Sequence, residues 1–229
     1  MIVSINQPAY LPWLGYFHRI AKSDLHIVLD HVQFEKNSFT NRNKVRTAQG
    51  STWLTVPVAT KGKFGNLPIN ELEIADDRWR AKHWQTLKMN YSRGAHFRAH
   101  ADFFEAIYAS EWRKLDDLMD RITTYVLREA LRIEAKVVRS STLKARGTKS
   151  ELVLNLCREV GANAYLSGPL GRNYLDESSF REAGIEVRYH DYAHPVYPQV
   201  YAGFEPYMAI VDLLFNCGPE SAAIIGIVD

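Results

Sequence analysis

The chain has 229 residues, with 28 Lys+Arg against 26 Asp+Glu and 46% hydrophobic residues. Together with a mean hydropathy of −0.26, this excludes intrinsic disorder, and 13 Gly with 9 Pro exclude a fibrous or low-complexity chain. A net charge of +2 and a pI of about 8.4 fall short of the clustered basic footprint that nucleic-acid binding needs, so no nucleic-acid partner is expected.

Cys157 and Cys217 form no CxxC pair and cannot build a disulfide framework, which points to a reducing compartment. The chain opens on strand-like residues without a basic and then apolar leader, and no apolar run approaches the ~18 residues of a membrane span. A cytoplasmic protein without a membrane span, folded as one α/β domain over residues 1–229, is expected.

In chain order, Ile2–Ile5 and Leu25–Leu29 read as short branched strands, and Trp13, Leu14, Phe17, Ile20 and Ala21 recur between them at helical spacing. This is a β-α-β opening, with Pro12 suited to the first turn of the helix. Gln33 to Arg46 reads as a polar, Asn- and Arg-rich loop, followed by a strand at Thr52–Val56 stopped by Pro57. Lys61–Asn66 reads as a Gly/Lys turn.

From about 79 to 133 the period becomes helical, with Leu115, Leu118, Met119, Ile122 and Val126 forming one stripe. Val137-Val138 returns to strand character. A helix over 152–160 opens on a capping-box sequence, Thr148-Lys149-Ser150-Glu151, and closes at Gly161 before a strand at Ala164–Ser167, predicting a second β-α-β unit. Ile185–His190 alternates as an outer strand, and Tyr207–Phe215 reads as an apolar helix ending before Gly218-Pro219. The fold class is therefore α/β: a mostly parallel sheet built from βαβ units at both ends of the chain, with a central helical insertion.

Ligands of such sheets bind at the carboxyl ends of strands, which singles out the turns after Ile5, Leu29 and Ser167. In the first turn, Gln7 offers both a donor and an acceptor on a backbone stiffened by Pro8 and Pro12, with Tyr10 and Trp13 as candidate substrate contacts or core aromatics. In the second, Asp30 stands at a strand mouth where a carboxylate can take a proton or orient a hydroxyl. Gln33, Asn41, Arg42, Asn43 and Lys44 follow it, a set suited to holding a phosphate or to forming a solvated surface. In the third, Ser167 and Gly168 are candidates by position.

Asp212 lies in an apolar helix and needs partners, so it and Asn216 are expected to support a loop such as Asn41–Arg46 from beneath. Among the aromatics of 189–207, Gln199 and Tyr201 are the candidate binding residues. His83 is the isolated imidazole best placed for general acid/base work, with a buried helical histidine as the bland alternative. His96/His100 and His190/His194 lack the Glu of HExxH and a third ligand, so no metal is expected, and no cofactor is indicated. No GxSxG or Cys-His arrangement supports a covalent mechanism.

Gln7-Pro8-x-Tyr10-Leu11-Pro12-Trp13-Leu14-Gly15-Tyr16-Phe17, Leu29-Asp30 with Gln33-Phe34, Asn41-Arg42-Asn43, Trp53–Pro57, Tyr165–Gly168 and Asp212–Asn216 with Gly218 together resemble the WbqC-like protein family along nearly the whole chain. The resemblance implies a place in the biosynthesis of O-antigen, other surface polysaccharides or specialised metabolites, and a transfer of glycine or another acyl unit to a sugar. His31 stands where the family often carries a second Asp, which removes a two-carboxylate arrangement there. The strand-loop-helix opening is also similar to that of nucleotidylyltransferases, but Leu14-Gly15-Tyr16 replaces their His-rich signature.

The function expected is therefore group transfer. Asp30 or His83 would take the acceptor's proton, Gln7 and Asn43 would orient the reacting groups, and Arg42 with Lys44 would hold an anion. The expected partner is a small molecule, either a nucleotide-sugar or an acyl or aminoacyl thioester, free or on a carrier protein. The alternatives are a non-catalytic module binding a nucleotide-sugar or carrier protein, and a nucleotide-dependent activating enzyme.

Overall fold

In a computed structural model, residues 1–63, 65 and 67–227 are described; Phe64 and Asn66 of the Gly/Lys turn lie outside them. Ile2–Asn6 (β1), Leu25–Val28 (β2), Lys136–Arg139 (β5), Ala164–Ser167 (β6) and Glu186–Tyr189 (β7) form one sheet. Its order is β5-β2-β1-β6-β7, and all its pairings are parallel. Counting only these strands along the chain, the order is 3-2-1-4-5, so the winding reverses between β1 and β6.

β1 shows why the sheet is layered. Val3 and Ile5 point to one face, where they pack with Leu152, Leu156, Cys157 and Phe180 from two helices, α5 (Lys149–Glu159) and α6 (Glu177–Glu182). Ser4 points to the other face, where its hydroxyl lies 2.8 Å from Ser23 Oγ and 2.8 Å from His26 Nδ1. The larger core belongs to the helices α1 (Leu14–Ala21), α2 (Arg78–Tyr91), α3 (Phe97–Ala109), α4 (Leu115–Tyr125) and α7 (Ile210–Cys217), with the short α8 (Ser221–Ile225) beside α1. Asp212 is fully buried in α7.

Two local readings are corrected. The stretch Gln33–Arg46 is not all loop: Arg42–Thr47 (β3) pairs antiparallel with Gly50–Thr55 (β4) in a separate two-stranded sheet. Its polar side chains are compatible with a strand because several serve as cross-braces to other backbone, as described below. The second β-α-β unit is present as β5-α5-β6, with the α5 connection crossing over β2 and β1. Finally, α5 starts where the capping-box sequence predicts, but Thr148 makes no cap bond. Ser150 Oγ instead accepts the Asp176 N–H at 2.9 Å.

Candidate functional site at the sheet switch point

The loop from Asn6 to Trp13 is fastened at three places, and that fastening sets where Gln7 can be. Tyr10 N donates to Thr40 O at 3.0 Å. Asn43 Nδ2 donates to Leu11 O at 2.6 Å, holding Leu11 at a φ of 48°. Ile210 N donates to Pro12 O at 2.9 Å. The Trp13 ring then folds back over Gly15, where any β-carbon would overlap it. Gln7 stays exposed at the carboxyl end of β1.

Gln7, Trp13, Ser167 and Gly168 line a cleft of about 500 Å³ directly above the β1/β6 reversal, within the range of ~300–1,000 Å³ usual for small-molecule sites. Three segments converge on it: the β1 loop with the first turns of α1, the Gly168–Gly171 turn after β6, and the residues after β7. Among the described residues no Asp or Glu lines it.

Two ionisable side chains in this cleft were not singled out from the sequence. Arg19 lies one helical turn beyond Gly15 on α1, and its guanidinium rests against Gly168, where an added methyl would overlap Nη1. Among the described residues no hydrogen bond or ion pair meets it, and its Nε is buried without a partner. Burial lowers its pKa, with the nearby hydroxyls of Tyr165, Tyr16 and Tyr174 acting in the opposite direction. His190 follows β7, tied to the sheet by its N–H to Ser167 O at 2.8 Å. Its Nε2 lies 2.6 Å from His18 Nδ1, and the Tyr192 ring stacks on it at 5.7 Å. Burial, then His18, then Arg19 push His190 down to about 4, so it is neutral at physiological pH. His18 is also lowered, by burial and by Lys22.

Three buried donors without partners belong to residues of this cleft: Asn6 Nδ2, Arg19 Nε and Tyr192 OH. A buried polar group left unpaired costs ~1–3 kcal/mol. Clustering several such donors where no acidic side chain is present leaves their demand for an acceptor unmet by the chain itself.

The remaining expected site residues lie elsewhere. Asp30 has zero exposure and does not open onto the cleft. Its Oδ1 accepts Ser140 Oγ at 2.9 Å and Ser141 N at 2.8 Å, and its Oδ2 accepts Ser141 Oγ at 2.6 Å and Arg139 Nε at 3.1 Å. Burial alone would raise its pKa, but the Ser141 and Ser140 hydrogen bonds and Arg139 outweigh it and hold the carboxyl below its ordinary value. Asp30 thus fastens the end of β2 to the turn after β5. His83 is buried, with Nδ1 2.9 Å from Tyr10 OH, which itself lies 2.6 Å from Tyr108 OH. Burial and Lys82 lower His83 to about 4. Tyr10 and His83 are therefore core residues behind the loop, out of reach of the cleft.

Asn41 Nδ2 donates to Val56 O at 2.8 Å, and Asn43 braces Leu11 as above, so both amides are occupied by backbone. Arg42 donates to Asn37 O and lies 4.3 Å over the Trp53 ring, with Lys44 Nζ 5.2 Å from the same ring, on the hairpin surface. Gln33 accepts Leu67 N at 2.9 Å beside a separate hollow of about 280 Å³. Gln199 Nε2 donates to Asp212 Oδ2 at 2.7 Å, while Tyr201 OH donates to Asn90 Oδ1 at 3.0 Å.

Asp212 also accepts Tyr91 OH at 2.7 Å and Tyr197 OH at 2.8 Å, and Asn216 Nδ2 donates to its carbonyl at 2.7 Å. Burial raises its pKa despite the Tyr91, Tyr197 and Gln199 bonds. Because Tyr91 OH accepts the Arg46 N–H at 2.7 Å, Asp212 reaches the β3 hairpin through one tyrosine. Of the expected residues, then, Gln7, Trp13, Ser167 and Gly168 share one cleft; the Asp30–Lys44 stretch and Gln199 do not join them. Cys157 and Cys217 are buried outside it, with burial raising their thiols to about 12 and about 11.

A model of the WbqC-like protein family matches residues 7–224. The chain belongs to the WbqC-like family. This family match begins at Gln7, the first exposed residue of the cleft, and takes in all three segments that line it. The chain is also similar to an uncharacterized protein of Mycobacterium tuberculosis strain H37Rv, Rv1507c, with 40% identity over 220 residues, covering 96% of this chain and 95% of that protein. No solved structure matches. Among the described residues, no helix of this WbqC-like protein is long and apolar enough to cross a membrane, and no cluster of three or more His, Cys, Asp or Glu side chains could hold a metal ion.

Arg19 and His190 carried a signal that was available in the sequence. Arg19 is four residues after Gly15 on the helix that leaves β1, and His190 directly follows an alternating edge strand. Both therefore meet the rule that sites gather at strand carboxyl ends and the helices that follow them.

Proposed function

We propose that this protein is a group-transfer enzyme that moves an aminoacyl or acyl unit, glycine among them, onto an amino or hydroxyl group of a sugar or related small acceptor, for the biosynthesis of surface polysaccharide or a specialised metabolite. The observation that carries this reading is the switch-point cleft, which places an unprotonated imidazole, His190, beside Ser167 and in the same cleft as Gln7. The donor is an activated thioester or ester, free or presented on a carrier protein.

In the tautomer in which His190 Nε2–H donates to His18 Nδ1, the His190 Nδ1 lone pair is open to substrate. The acceptor's N–H or O–H gives its proton to Nδ1 as the acceptor atom attacks the acyl carbonyl carbon. The C–S or C–O bond to the leaving group then breaks, and the same proton passes from Nδ1 to the departing sulfur or oxygen. Gln7 supplies a donor and an acceptor to orient the acceptor group, and the Trp13 ring closes one side of the cleft. Asp30 and His83, occupied elsewhere, take no part in this scheme.

A binding module for a nucleotide-sugar or carrier protein is the rival reading, favoured by the low basicity of an imidazole held at about 4. Purified protein incubated with aminoacyl and acyl thioesters and nucleotide amino-sugars separates the two by mass spectrometry. An acceptor heavier by one acyl unit supports transfer; thermal stabilisation by these ligands with no such product supports the module.

A further inference from the structure

We infer that the cleft receives a phosphoryl group of its substrate, and that Arg19 is the residue that binds it. The inference rests on the reading of the cleft as the substrate site and names the chemistry of one part of that substrate. The first ground is the treatment of arginines across the fold. Arg139 is met by Asp30, Asp116 and Asp120. Arg46 is met by the carbonyls of Thr47, Gly50 and Ala202 and by Glu205. Arg19, also partly withdrawn from water, has no such partner and stands in a cleft without a carboxylate. A desolvated guanidinium without an internal counter-charge is poised for an external anion.

The second ground is the companion donors. Asn6 and Tyr192 both line the cleft, and Asn6 Nδ2 and Tyr192 OH are buried donors without partners at its wall. A carboxylate has two oxygens, which a guanidinium fork satisfies by itself. A phosphoryl group brings a further oxygen and more negative charge, which matches a site that has a cation and additional donors. The third ground is position: the guanidinium lies against Gly168 at the carboxyl end of β6, at the reversal of the sheet, and only the lack of a side chain at 168 lets it lie there. Phosphoryl-bearing donors and acceptors of the proposed transfer, a phosphopantetheine thioester or a nucleotide-sugar, share this chemistry.

The test is calorimetric titration of the full-length protein with inorganic pyrophosphate, and separately with acetate at matched ionic strength. The variants are Arg19→Gln, Arg19→Lys, Gly168→Ala, and Arg78→Gln as a control for the loss of an exposed charge outside the cleft. The expected result is saturable pyrophosphate binding by the wild type, weakened about 10- to 100-fold in Arg19→Gln. Gly168→Ala, which keeps the charge but displaces the guanidinium, weakens it as well, Arg19→Lys retains part of it, and Arg78→Gln leaves it unchanged. Circular dichroism melts identify any variant that fails to fold, and Arg19→Lys and Gly168→Ala then carry the test.

Equal binding by folded wild type and Arg19→Gln, no pyrophosphate binding by the wild type, or acetate binding as tight as pyrophosphate overturns the assignment. Arg19-dependent pyrophosphate binding without any acyl transfer keeps the phosphoryl site and removes the transferase reading. Acyl transfer unaffected by Arg19→Gln, with no pyrophosphate binding, does the reverse.

Discussion

Asp30, expected from its strand mouth to be catalytic, has both carboxylate oxygens taken up by hydrogen bonds, which predicts a fastening role. In Asp30→Ala, the Ser140 hydroxyl, which is buried, and the N–H and hydroxyl of Ser141, which is exposed, lose a buried acceptor. Arg139 is not orphaned, because Asp116 and Asp120 still meet it. The loss is therefore that of three hydrogen bonds to a charged acceptor, at ~1.5–3 kcal/mol each, of which water at exposed Ser141 and other acceptors for the rotating hydroxyls return a part. About 3 kcal/mol is expected, toward the low end of the ~3–5 kcal/mol seen when a buried ion pair is broken. Asp30→Asn keeps one acceptor oxygen but turns an amide toward Ser141 Oγ and Arg139, so it recovers only part of this. Urea unfolding followed by tryptophan fluorescence reads the difference as a shift in midpoint at constant slope. A loss below about 1 kcal/mol, or full stability with abolished function, would refute the reasoning that makes Asp30 a fastener of β2.

Acid should destabilise the fold before its carboxylates are neutralised. His26 is held down to about 3 by burial and Arg19, and His83 to about 4 by burial and Lys82. The unfolded chain takes up these protons near pH ~6.5 and the folded chain resists until about 3–4, so stability is complete above ~6.5 and falls on acidification. For His83 the loss approaches about 3 kcal/mol by pH 4 at ~1.36 kcal/mol per unit. Asp212, whose carboxyl is raised, works in the opposite direction. Chemical denaturation from pH 7 to 4.5 checks the sign, and His83→Gln should flatten the slope; stability that rises toward pH 4.5 contradicts it. Asp212→Ala strands the Tyr91 and Tyr197 hydroxyls in the core, while Gln199 keeps Glu205 O, and should cost about 3 kcal/mol or more, read by the same unfolding midpoint. Anion binding in the cleft should raise the His190 pKa, because a counter-charge on Arg19 removes one of the influences that lower it; NMR titration of His190 with and without pyrophosphate measures this, and an unmoved pKa counts against their coupling.

The sheet was legible in the sequence because its strands are short branched runs bounded by turn residues, and the convergence of Gln7, Ser167 and Gly168 on one cleft was legible because all three stand at strand carboxyl ends. Of the β3–β4 hairpin, β4 was legible as the strand over Thr52–Val56, but β3 was not. The strand Arg42–Thr47 is polar for a tertiary reason, since Asn43 reaches Leu11 O and Arg46 reaches Ala202 O, and neither contact leaves a period in the sequence. Asp30 looked free at its strand mouth only because Ser140 and Ser141, over a hundred positions later, cannot be placed against it without knowing that β5 lies beside β2. Arg19 and His190 gain their meaning from what they lack: an unpaired guanidinium and an imidazole with one open nitrogen are visible only when every neighbour has a place.

The most direct measurement of the central claim, that function resides in the switch-point cleft, is product formation by His190→Gln and Asp30→Asn side by side. Mass spectrometry of the acyl-transfer reaction follows both, with unfolding midpoints recorded for each. Transfer falling at least ~100-fold in His190→Gln, with wild-type stability retained, while Asp30→Asn stays active at temperatures where it remains folded, is the outcome expected. Undiminished transfer in His190→Gln together with its loss in a fully folded Asp30→Asn would move the chemistry out of the cleft and contradict the account.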